Sequence, residues 1–128
     1  MRDHRKLRAF ELADQVVLLT YSATRDFPKD ELYGLISQMR RAAVSVPSNI
    51  VEGCARRSQA EFVRFLDIAF ASLRELHYQF DLSRRLGFVS EDGFAGHELK
   101  IVEAEKVLGA LIRSFRSSDN LKSKQPTV

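Results

Sequence analysis

Two pairs of arginines, Arg40–Arg41 and Arg56–Arg57, are the side chains of this sequence best suited to chemistry with a partner. A guanidinium is planar and permanently charged, and its donor fork matches phosphate or carboxylate oxygens. Together the four form a candidate contact surface for the phosphates of RNA or DNA. Just before and between them lies a second candidate group, Gln38, Ser45, Pro47, Ser48, Asn49 and Glu52, which reads as a packing or oligomer seam. At helical spacing Gln38, Arg41, Ser45, Ser48, Glu52 and Arg56 share one polar stripe, and the small serines would let another helix approach closely. Cys54 stands beside Arg56 and Arg57, which could lower its pKa. No partner base is evident, however, so a plain thiol is the simpler reading.

Catalytic, cofactor and metal constellations are absent from the sequence. The residues three positions before His4, His77 and His97 are Met1, Arg74 and Phe94. The Glu-x-x-His pattern of di-iron bundles is therefore missing. No cysteine–histidine cluster has zinc spacing, and no glycine-rich phosphate loop occurs. His77 reads as a core or interface histidine. These absences predict a chain that is not an enzyme and that has no cofactor and no small-molecule substrate.

The elements that must carry these residues show the helical period. A first helix is expected from about Ala9 to Arg25, with Phe10, Ala13, Val17 and Thr20/Tyr21 inward. A second should start after Pro28, with Asp30 and Glu31 in its first turn and Gly53 as its terminator. Pro47 falls inside it and removes a backbone donor, so a kink is expected, with a full break the alternative. Ser58-Gln59-Ala60-Glu61 has the form of a capping box and opens a third helix, which Gly87 ends. Ser90 should cap a fourth helix, with Val89 and Phe94 spaced as a hydrophobic staple. Its apolar face is read as Leu99, Val102, Leu108, Leu111/Ile112 and Phe115.

Short links between four amphipathic helices predict an all-α, antiparallel up-down-up-down four-helix bundle. The expected organisation is a basic segment over 1–8, the bundle over 9–116 and a disordered tail over 117–128. Residues 1–8 and 113–128 each carry a net +3 and leave the body at −3, so the basic balance sits at the two ends. Solvated ends are the simplest explanation. One cysteine and no long apolar run predict a cytoplasmic protein with no membrane segment. Val16, Leu18, Leu19, Val63, Ile68, Phe70, Ile101 and Val107 widen the apolar arcs beyond one stripe. A second buried surface, and hence self-association, is expected.

The run from Gln38 to Gly53, continuing through Ala55-Arg56-Arg57-Ser58, Glu61-Phe62, Phe65-Leu66, Ala69 and Ser72-Leu73-Arg74-Glu75-Leu76, resembles a known family. So do Phe27 to Leu35 and Leu86-Gly87-Phe88. The family is that of the four-helix-bundle proteins encoded by intervening sequences in 23S ribosomal RNA genes. The resemblance covers about residues 7–115. It implies an antiparallel four-helix bundle and a ring-like homopentamer of unestablished role. The accessory variability determinant of diversity-generating retroelements is similar too, and implies an alternative: a nucleic-acid-binding accessory protein that acts on RNA or DNA or with a reverse transcriptase.

Overall fold

Ser58 is extended, and its hydroxyl accepts a hydrogen bond from the Glu61 amide at 3.1 Å. That bond satisfies one of the donors a helix start leaves unpaired. The computed structural model describes residues 2–123, with 118–123 as backbone only. From the Ser58 cap, helix α3 (Gln59–Arg85) runs to a glycine stop. Gly87 takes φ +79°, its amide donates to the Arg84 carbonyl, and the Phe88 amide donates to the Ser83 carbonyl. This is the Schellman arrangement, which needs a left-handed residue. Ser90 then caps helix α4 (Glu91–Ser123), accepting from the Gly93 amide at 3.0 Å. Val89 and Phe94 both pack against the core.

Helix α1 spans Arg8–Thr24 and helix α2 spans Ser37–Cys54. Each helix packs on two others, α1 on α2 and α4, and α3 on α2 and α4. Side-chain partners run in opposite directions along the α2–α3 and α3–α4 seams. Met39 meets Ser83 and Ser45 meets Ser72 between α2 and α3. Asp67 meets Arg116, Arg74 meets Glu105, and Arg84 meets Glu91 between α3 and α4. The contacts fit the antiparallel four-helix bundle. Leu12, Val16, Met39, Val46, Ile50, Phe62, Leu66, Leu73, Leu76, Phe80, Ile101 and Leu108 fill its centre without exposure. Each buries roughly 1.5–3 kcal/mol of side-chain transfer free energy.

Several boundaries and faces differ from the sequence expectation. The second helix begins at Ser37, not after Pro28. Lys29–Glu31 form a 3-10 turn and Leu32–Ile36 a wide π-type turn. Gly34 leaves helical geometry (φ −110°, ψ −110°), and the Glu31 carboxylate accepts from the Leu35 amide. Gly53 lies inside α2, buried against Phe62 and Phe65, and Ala55 caps the helix instead. Pro47 is buried within a continuous α2, so the break is excluded. Asn49 starts no new helix; its side-chain amide donates to the Ser45 carbonyl at 2.8 Å.

The inward face of α1 is Ala9, Leu12, Ala13, Val16, Thr20 and Thr24. Thr20 and Thr24 bond back to the carbonyls four residues earlier, which satisfies their buried hydroxyls. On α4, Leu99 faces outward at 75% exposure, and Ile101, Ala104, Leu108 and Ile112 take the core. Val16, Val63 and Ile101, read as surplus, are core residues. The backbone of α4 stays helical past Ser117 to Ser123, where composition suggested a disordered tail. Residues 124–128 of that proposed tail lie outside the described residues. The basic N-terminal segment is docked. The Arg2 amide donates to the Cys54 carbonyl at 3.1 Å, and its guanidinium lies 4.1 Å from the Phe62 ring centroid.

Candidate functional site

The fold divides the four arginines. Arg40 and Arg41 stand on α2 beside α1, and Arg56 and Arg57 follow the end of α2. Arg40 is held in place: its Nε donates to the Thr24 hydroxyl at 2.9 Å, and its guanidinium lies 4.6 Å from the Tyr21 ring centroid. Thr24 can accept because its own proton goes to the Thr20 carbonyl. Arg41 is exposed, and among the described residues neither Arg40 nor Arg41 forms an ion pair. Arg56 pairs with Glu52 at 3.0 Å and lies 4.8 Å from the Phe65 ring centroid, so it serves the α2–α3 corner. Arg57 is exposed at the turn.

Arg40 and Arg41 line an open groove of about 690 Å³ with Tyr21, Leu32, Tyr33, Ile36 and Val44. No carboxylate lines it, while two tyrosines and two permanent cations do. Tyr33 is 93% exposed, carried outward by the π-type turn. Tyr21, Leu32, Tyr33 and Val44 come from three separate elements, and composition or local periodicity cannot show that they meet. Leu18, one turn before Tyr21, and Val51, two turns after Val44, extend the exposed apolar surface along α1 and α2.

The proposed seam residues do not share one face of α2. Gln38, Arg41 and Ser45 line a hollow of about 170 Å³ with Ser72 and Glu75 of α3. Ser45 Oγ sits 2.9 Å from Ser72 Oγ, and Asn49 Nδ2 donates to Ser45 Oγ at 2.9 Å. Ser45 thus meets a helix of its own bundle. Ser48 and Glu52 are exposed, and Pro47 faces the core.

A cluster that sequence reading missed lies between α3 and α4. His77 is bonded at both ring nitrogens: Nδ1 lies 3.1 Å from both Glu105 carboxylate oxygens, and Nε2 lies 3.1 Å from Glu98 Oε2. Arg74 donates to Glu105 at 2.9 Å. Burial pulls the His77 pKa down, but the hydrogen bonds and charges of Glu98 and Glu105 together outweigh it, and the net shift is upward. His97, packed on Phe80, is shifted down by burial. Cys54 is buried, and burial raises its thiol pKa. The cation acting on it is Arg2, not Arg56 or Arg57. This agrees with the reading of Cys54 as a plain thiol and goes against its activation by Arg56 and Arg57. Among the described residues no three His, Cys, Asp or Glu side chains are grouped to hold a metal ion, and no helix is long and apolar enough to cross a membrane.

A family model described as 23S rRNA-intervening sequence protein matches residues 5–110. The chain is also similar to a crystal structure of a protein of unknown function from the S23 ribosomal protein family of Bacteroides thetaiotaomicron. The two are 23% identical with a TM-score of 0.67, over 81% of this chain and 94% of that one. That likeness is one of fold. No curated protein matches the chain.

Proposed function

The chain belongs to the 23S rRNA-intervening sequence protein family, and from that membership and one face of the bundle we propose that it is a non-enzymatic, homo-oligomeric scaffold. The carrying observation is the exposed apolar surface of α1, the π-type turn and α2 around the groove: Tyr21, Leu32, Tyr33 and Val44. Single exposed apolar residues are ordinary, but a contiguous set around a groove marks a contact surface. The expected assembly is a cytoplasmic pentamer, a number that comes from family resemblance.

Size-exclusion chromatography with light scattering tests this. The expected mass is about five times the 14.6 kDa chain. Tyr33→Asp combined with Val44→Asp should reduce it to the single-chain mass, because burying unpaired carboxylates in an apolar contact is unfavourable. A wild-type monomer at micromolar concentration would sink the reading.

A second reading rests on the same groove. Arg40 and Arg41 form no ion pair among the described residues, and exposed Tyr33 beside them supplies an aromatic surface on which a base of a single-stranded nucleic acid can stack. Under this reading a labelled single-stranded RNA or DNA binds at low salt and dissociates as salt rises. Two phosphate contacts give a log–log slope of roughly −1.4. Arg40→Ala with Arg41→Ala should abolish that slope, and Arg57→Ala should change it little. Absence of binding at low salt would remove this reading and leave the scaffold intact.

A further inference from the structure

We propose that His77, Glu98 and Glu105 form a proton-gated latch on the α3–α4 seam, which releases the Glu98 side chain when the imidazolium loses a proton. The geometry is asymmetric in a way that fixes which side lets go. Glu105 has a side chain only 10% exposed, presents both oxygens to Nδ1 and also receives Arg74. Glu98 has a side chain 44% exposed, and its hydrogen bond to His77 Nε2 is its contact across the seam.

With both ring nitrogens protonated, His77 donates to both carboxylates. Charges then balance: His77 and Arg74 are positive, and Glu98 and Glu105 are negative. When one proton leaves to solvent, the ring keeps a single N–H and the cluster carries a net −1. One carboxylate must then face a nitrogen lone pair. Keeping the proton on Nδ1 preserves the contact with buried Glu105, which would be costly to leave unsatisfied. Nε2 becomes the bare nitrogen, and Glu98 can turn into water.

The other groups facing the ring do not replace the lost charge. Arg74, Tyr78, Asp81 and Glu98 line the hollow of about 260 Å³ beside His77, and all lie on α3 or α4. Asp81 is engaged by Arg84 and Arg85, at 2.7 Å and 3.0 Å. Its pKa is lowered by those partners, so it remains a carboxylate. His97, next to Glu98 in sequence, packs inward on Phe80 and is shifted toward its neutral form.

Linkage sets the direction of the effect. A histidine whose folded pKa is raised stabilises the fold fully below its unfolded value, about 6.5. That contribution disappears as pH rises through the folded pKa. The latch is therefore closed below about pH 6.5 and opens as pH rises through the raised pKa of His77.

Nitrogen-15 NMR of the full chain across pH 5–10 is the test. His77 should titrate above the ordinary histidine value, and its neutral form should carry the proton on Nδ1. Amides around Glu98–Ile101 should shift with the same midpoint. Glu98→Gln should lower the His77 midpoint while the fold persists, because Glu98 is partly exposed; His77→Gln should abolish the pH-linked amide shifts. A neutral ring protonated on Nε2, a midpoint at or below 6.5, or α4 amides indifferent to His77 would each overturn the latch.

Discussion

A methyl group added at Gly53 would meet the Phe65 Cβ at 2.9 Å and the Phe62 carbonyl at 3.2 Å. Both neighbours belong to the first turns of α3, where the backbone has little freedom to retreat. Gly53→Ala should therefore destabilise the protein by about 1–3 kcal/mol, the usual cost of overpacking. Urea unfolding of the variant checks this, and an unchanged midpoint would show that the corner is softer than its distances imply. From sequence alone the same glycine reads as a helix terminator. The residue type was informative, but its reason is a close approach that depends on Phe62 and Phe65. Arg40 gives the same lesson. Its chemistry is visible in the sequence, whereas its preset orientation depends on Thr24 and Tyr21 of another helix. His77 shows where such reading stops: Glu98 and Glu105 lie 21 and 28 residues away along the chain, and no local pattern links them.

Among the helices, termini were easier to read than faces. Ser58, Gly87 and Ser90 act locally, through bonds to amides or carbonyls a few residues away, so their signals survive without tertiary structure. Ser58→Ala removes the acceptor for the Glu61 amide and should cost about 1 kcal/mol of stability. The loss should appear as a lower urea midpoint with an unchanged slope. If the midpoint holds, water replaces the serine at no cost and the cap contributes nothing. The start of α2 was misread because Pro28, Asp30 and Glu31 satisfy every local rule for a helix start, while Gly34 interrupts the turn beyond them. The face of α1 was read only in part: Ala13 and Thr20 are buried and Phe10 and Val17 pack against the core, but Leu12 and Val16 were missed and Tyr21 is exposed. Phe10, Leu12, Val16, Val17, Leu18 and Leu19 surround the helix, so periodicity alone allows more than one phase. Contact with α2 and α4 decides it.

At the scale of the molecule, four amphipathic helices with short links leave few ways to bury their stripes, and the bundle was legible for that reason. The groove was not, because it gathers residues from α1, the π-type turn and α2. Assembly and nucleic-acid binding would compete for this surface, so Tyr33→Asp affects mass under one reading and oligonucleotide binding under the other. The ring of helices also has a kinetic consequence. Three of its seams join helices adjacent in sequence, as with Ser45 and Ser72, 27 residues apart. The fourth, where Arg8 meets Glu103, joins residues 95 apart. Mostly local closure places this topology among the rapid folders, on the order of microseconds to milliseconds. The α1–α4 seam therefore carries the largest loop-closure entropy of the four.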